Sequence, residues 1–198
     1  MDNIEIIKEH IKASADAKTA MLADNKLTAG IETAALRCIE AYRTGHKTIF
    51  AGNGGSAADA QHLAAEFVGR FYYNRPPLPS LALHTNTSSV TAIGNDYGYD
   101  TVFERQIEAF GNEGDVFIGL STSGNSANLI KAAEVCRRKG VTLIALTGSR
   151  ECKMDDWDIV IKAPSADTPR IQECHTTMGH IICHLVEEAI FPQYKPQK

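Results

Sequence analysis

Five short, mainly apolar runs, most of them separated by helical patterns, constrain this chain more than any other feature. They are KTIFAG (47–52), LPSLALH (78–84), DVFIGL (115–120), VTLIALT (141–147) and DIVIKA (158–163). Apolar runs this short, bounded by turn residues, predict strands buried on both faces. Helical spacing recurs between them over 57–70, 101–110 and 126–139, and a long helical pattern from about 169 to 191 closes the chain. Upstream, Ile4, Ile7, Ile11 and Ala15, then Ile31, Ala35, Leu36 and Ile39, predict two helices in the first forty or so residues. Alternating strands and helices imply an α/β fold with a mainly parallel five-stranded sheet covered on both faces. Such sheets bind ligands beyond the carboxyl ends of their strands. The turns after Ala51 and Leu120 are therefore where a site is expected. The one irregular stretch, NRPPLP (74–79), reads as a loop.

A length of 198 residues fits one domain, and 43% hydrophobic residues suffice for a core. The net charge is −4 and no Lys/Arg run forms a nucleic-acid footprint, so no nucleic-acid partner is expected. The N-terminus lacks the apolar core of a signal peptide, and no stretch approaches 18 apolar residues, which predicts a cytoplasmic protein without membrane contact. Five cysteines without a C-x-x-C pair read as reduced thiols, several of them in core helices.

The segment GLSTSGNS (119–126) follows an apolar strand and opens a helix. Ser121, Thr122, Ser123 and Ser126 crowd four hydroxyls into one turn, Gly124 lets it bend, and Asn125 or Ser126 can cap the helix. Helix-start amides and the helix dipole favour an anion there, and hydroxyls add donors without charge, as a phosphate monoester requires. An ordinary capped turn has the same composition. The lysine of a Walker loop is missing and GxGxxG is not matched, so nucleotide binding loses ground. The earlier turn GNGGS (52–56) allows close backbone approach, and Asn53 and Ser56 can bond sugar hydroxyls or phosphate.

His62 and Glu66 stand at i and i+4 on the helix that opens at GNGGS, and are expected to look into the same crevice. On the last helix Gln172, Thr176 and His180 share a stripe. A His and a Glu from one helix with a Gln and a His from the other can complete a four-ligand metal set of the kind zinc accepts, although glutamine is an unusual ligand. Most isolated His–Glu pairs at this spacing are plain hydrogen bonds. His175, His184, Glu187 and Glu188 are expected to be solvated or at an interface, while His10, His46 and His84 carry no signal.

With these pieces placed, the sequence closely resembles the phosphoheptose isomerases, a branch of the SIS-domain sugar-phosphate proteins. The resemblance rests on GNGGSAADAQHLAAEFVGR (52–70), AIGNDYGYD (92–100), GDVFIGLSTSGNSANLIKA (114–132) and RIQECH…GHIICHLVE (170–187), in order from the first strand onward. It implies a single SIS domain over 1–198, with 1–44 as an N-terminal helical extension, folded as a three-layer α/β/α sandwich. It implies a homotetramer with active sites at subunit interfaces, and conversion of sedoheptulose 7-phosphate into D-glycero-D-manno-heptose 7-phosphate, the first step toward bacterial lipopolysaccharide heptoses. It further implies one zinc ion per subunit held by His62, Glu66, Gln172 and His180. Substrate contacts carry over to Asn53, Gly54, Gly55, Ser56, Glu66, Asn95, Asp96, Ser121, Thr122, Ser123, Ser126 and Gln172, with Arg70 as a further candidate.

In similar enzymes the roles implied are Glu66 as base and His180 as acid, working through a cis-enediol. Zinc ligation competes with both roles, and both assignments stay open. One departure stands out: some family members carry an acidic residue directly before RIQE, where this chain has Pro169. The strongest rival is not an enzyme: a similar SIS tetramer binds the bacterial replication initiator and lacks the acid–base pair. A regulatory SIS domain that senses a sugar phosphate is a second rival, and an isomerase of hexose or pentose phosphates is a third.

Overall fold

The computed structural model describes residues 2–196. Two helices open the chain, α1 (Asn3–Ala23) and α2 (Asn25–Arg43). Asp2 and Glu5 form a capping box on α1, and Asp24 caps α2 by accepting the amides of Lys26 and Leu27. The remaining elements are β1 (Thr48–Gly52), α3 (Gly55–Val68), β2 (Ser80–Ala82), α4 (Thr87–Tyr97), α5 (Val102–Phe110), β3 (Val116–Ser121), α6 (Ala127–Lys139), β4 (Thr142–Thr147), β5 (Ile159–Lys162) and α7 (Thr168–Ile190). Short 3₁₀ turns lie at Tyr99–Thr101, Lys153–Asp156 and Pro192–Tyr194.

All five strands pair in parallel in the order β2-β1-β3-β4-β5. Alternate strand residues feed two cores. Phe50, Ile118, Leu120, Ile144 and Ile161 pack under α2, α3 and α7. Ile49, Ala51, Phe117, Leu143 and Ala145 pack under α5 and α6. This is the expected three-layer sandwich. Residues of α2 such as Leu27, Ile31, Ala35 and Cys38 are buried in the first core, whereas Ile4, Ile7 and Ile11 of α1 are exposed.

The connections reverse direction at β1: β2 lies on one side of it and β3 on the other. The crevice of such a sheet opens at that switch point, between the GNGGS turn after β1 and the STSGNS turn after β3.

Two details differ from the sequence expectations. Helix α4 covers a stretch with no apolar periodicity and no buried residue; it starts because the Asn86 side chain accepts the Ser89 amide. Second, β2 is three residues rather than seven, because the Leu78 amide bonds Phe67 O before the sheet begins. Pro169 falls in the first turn of α7, a position where its missing N–H costs nothing.

Candidate active site

The serine turn is built around Ser121 at the end of β3. Its hydroxyl lies 2.9 Å from Ser126 Oγ and accepts the Gly124 amide at 3.1 Å. Ser123 Oγ accepts the Asn125 amide at 3.2 Å. Gly124 sits at φ +64°, and a Cβ there would also collide with Cys152 Sγ, so glycine is required twice over. Ser126 is the N-cap of α6 but makes no side-chain cap bond. Its hydroxyl turns to Ser121 instead, and the first amides of α6 face the turn with the positive end of the helix dipole. Beside this turn, Thr122, Ser123, Gly148, Arg150, Thr168 and Ile171 are among the residues lining a cavity of about 190 Å³.

The GNGGS turn leads into α3 through Gly54 at φ +56°. Asn53 is engaged within the protein: its amide exchanges hydrogen bonds with Asn128 of α6, and its Oδ1 also accepts from Tyr99 Oη at 3.1 Å. These contacts lock the two turns to each other. Neither Asn128 nor Tyr99 was singled out in the sequence, although both lie within the matching motifs. Ser56 is buried, while Asn95 and Asp96 are exposed near the end of α4 and bond each other at 2.8 Å. Arg70 is exposed just beyond α3.

Helices α3 and α7 pack side by side in register. A Cβ on Gly55 would stand 2.5 Å from Gln172 Nε2, Asp59 Oδ1 accepts from Thr176 Oγ1 at 3.0 Å, and His62 Nε2 lies 2.7 Å from His180 Nε2. Gly179 lets the helices close at this level, since a Cβ there would strike the Leu63 side chain. Glu66 Oε1 lies 3.5 Å from His62 Nε2, and the ligand atoms of His62, Glu66 and His180 all fall within 4.8 Å of one another. Burial, and secondarily His62, lower the affinity of the His180 imidazole for a proton, against the pull of Glu66.

The donor set fits a metal ion. Two imidazole nitrogens facing each other must share one proton as a hydrogen bond or turn both lone pairs to a common cation, and a carboxylate beside them supplies charge and an oxygen ligand.

Gln172 does not join this group within the chain. It stands eight residues before His180 on one helix, about 12 Å of rise, and packs at Gly55 instead. His62 and Glu66 sit further along α3 than the GNGGS turn. They lie seven and eleven residues along α3 from Gly55, about 10 and 16 Å from the turn.

His175 and Glu187, expected in solvent or at an interface, are 0% and 1% exposed. His175 faces Thr147 O at 3.1 Å through Nε2, and Glu187 pairs with Arg75. Periodicity missed both because α7 is buried on more than one face.

Residues 9–148 match the SIS domain family. The chain is 60% identical over 188 residues to a phosphoheptose isomerase of Aneurinibacillus thermoaerophilus, covering 94% of this chain and 95% of that one. It is 53% identical to phosphoheptose isomerase 2 of Campylobacter jejuni, over 96% of each. Among solved structures, a phosphoheptose isomerase from Francisella tularensis superposes with TM-score 0.90 at 32% identity, covering 95% of this chain and all of that one. Another from Neisseria gonorrhoeae gives 0.87 at 39% identity, with 94% and 100% covered. Shared sequence over nearly the whole chain, a shared fold and both turns at the switch point lead to one assignment: this chain belongs to the phosphoheptose isomerases of the SIS-domain family.

Proposed function

We propose that the chain is a cytoplasmic aldose–ketose isomerase that converts D-sedoheptulose 7-phosphate into D-glycero-D-manno-heptose 7-phosphate, feeding bacterial surface-glycan heptose synthesis. The observation that carries the reading is the convergence of Glu66, His62 and His180 in a chain that also holds the Ser121–Ser126 turn. A base and an acid are what the reaction needs, and hydroxyls at a helix start suit its phosphate.

Glu66 takes a proton from C1 of the ketose while His180 gives one to the C2 oxygen, leaving a cis-enediol. The carbon-bound proton then returns to C2 as the O1 hydroxyl gives up its own. Ser56, Ser121, Thr122, Ser123 and Ser126 hold the phosphate with the amides of Gly54 and Gly55. Asn53, Asn95, Asp96, Arg70 and Gln172 contact the sugar. His62, Glu66, Gln172 and His180 would hold one zinc ion, which supplies Lewis-acid polarisation of the carbonyl.

The spacing along α3 favours a site shared between copies. Glu66 stands eleven residues, about 16 Å of helix rise, from its own GNGGS turn. In this reading one copy contributes the serine turn and Gln172, and another contributes Glu66, His62 and His180. Exposed Ile4, Ile7 and Ile11 on α1 supply apolar surface for assembly, consistent with a homotetramer.

The test is proton NMR of the protein with sedoheptulose 7-phosphate in deuterated water, as purified, after chelation and after zinc is restored. Aldose anomeric signals with deuterium at C2 are expected, lost on chelation and regained with zinc. A folded oligomer that produces no aldose under any of these conditions would sink the reading in favour of a binding protein.

A further inference from the structure

Arg75 and Glu187 form a buried ion pair that the chemistry above leaves unused. Both side chains are 1% exposed, with Arg75 Nε donating to Glu187 Oε1 at 3.0 Å. Such a pair is tolerated only when its remaining donors and acceptors are also met. Glu187 Oε1 and Oε2 accept the backbone amides of Phe71 at 2.9 Å and Tyr72 at 2.7 Å. Arg75 Nη1 donates to Phe67 O at 2.6 Å, and Nη2 donates to Glu66 O at 2.8 Å. The last carbonyls of a helix have no intrahelical donor, so Arg75 acts as the C-terminal cap of α3 and grips the backbone of Glu66 itself. On the other side, the Phe71 ring, whose amide Glu187 fixes, lies against His180 with centroids 5.5 Å apart.

We propose that Arg75 and Glu187 are a positioning pair that sets the geometry between Glu66 and His180, one through the Glu66 carbonyl and the other through the Phe71 ring. The proposal rests on the acid–base roles given to Glu66 and His180 above. In this chain the loop between α3 and β2 is therefore part of the catalytic apparatus, although the pair itself touches no substrate.

The test uses the full-length protein. Arg75→Met combined with Glu187→Gln removes both charges together and so strands neither. Arg75→Lys keeps the charge but loses the planar fork of donors; it decides the question if the double variant does not fold. In the folded variant, KM for sedoheptulose 7-phosphate should stay within about twofold while kcat falls about 10²-fold, as expected for a misplaced catalytic group. In metal-free protein, long-range proton–nitrogen NMR should show loss of the hydrogen-bonded His62–His180 imidazole signature. A merely stabilising pair would move the melting temperature and neither readout. Wild-type kcat together with an unchanged imidazole signature in a folded variant overturns the proposal. If the wild type itself yields no aldose, the isomerase reading fails separately and the imidazole signature alone decides the positioning role.

Discussion

Asn53 and Asn128 exchange two amide hydrogen bonds of 3.0 Å, one in each direction, and so tie the turn after β1 to the first turn of α6. Asn128 is 3% exposed, so neither water nor a neighbour readily replaces its carboxamide. Asn128→Ala should cost about 1–3 kcal/mol, the range for a lost buried hydrogen bond with a stranded partner. It should also raise KM for the phosphosugar several-fold, since both ligand-facing turns lose their mutual anchor. Urea unfolding and steady-state kinetics check this; unchanged stability together with unchanged KM would contradict it.

Glu66→Gln preserves shape and removes the proposed base. Turnover should fall by about 10²–10⁴-fold, the usual contribution of a general base, while far-UV circular dichroism and substrate binding stay close to wild type. Near-normal turnover would remove Glu66 from the base role.

Ser123→Ala takes away a hydroxyl that accepts the Asn125 amide and lies 3.5 Å from Ser121 Oγ. Phosphate contacts persist from ground state to transition state, so KM should rise with little change in kcat. A collapse of kcat at constant KM would show that the hydroxyl serves the chemistry instead.

His175 gives the fold a pH dependence. Burial, partly offset by its hydrogen bond to Thr147 O, takes the imidazole from the ordinary 6.5 down to about 4. Between those values the unfolded chain binds a proton that the folded chain refuses. This contribution to stability is therefore complete above pH 6.5, declines as the pH falls and is gone below 4. It amounts to about 3 kcal/mol in all. His175→Met should lose that dependence, and Thr147 O keeps a donor in the Ala163 amide. Denaturant titrations of both proteins at pH 7 and pH 4.5 measure it; equal pH sensitivity in the two would refute the assignment.

The strands, the main helices and the GNGGS and STSGNS turns were legible along the chain because each is a local pattern: apolar runs, a period near 3.6, and Gly, Ser and Asn where backbones bend. The i, i+4 spacing of His62 and Glu66, and the stripe from Gln172 to His180, are equally local. Pairing is not. Only the packing of α3 against α7 brings His62 Nε2 within 2.7 Å of His180 Nε2, and that same packing sets Gln172 at Gly55, away from the cluster. Arg75, in a stretch that reads as loop, becomes the cap of α3 only because Glu187 from the far end of the chain neutralises it in the interior. A single sequence specifies what each segment prefers. Which charged and polar groups must satisfy one another away from water is settled when the segments pack, because the penalty for a buried unpaired group exists only in the folded chain.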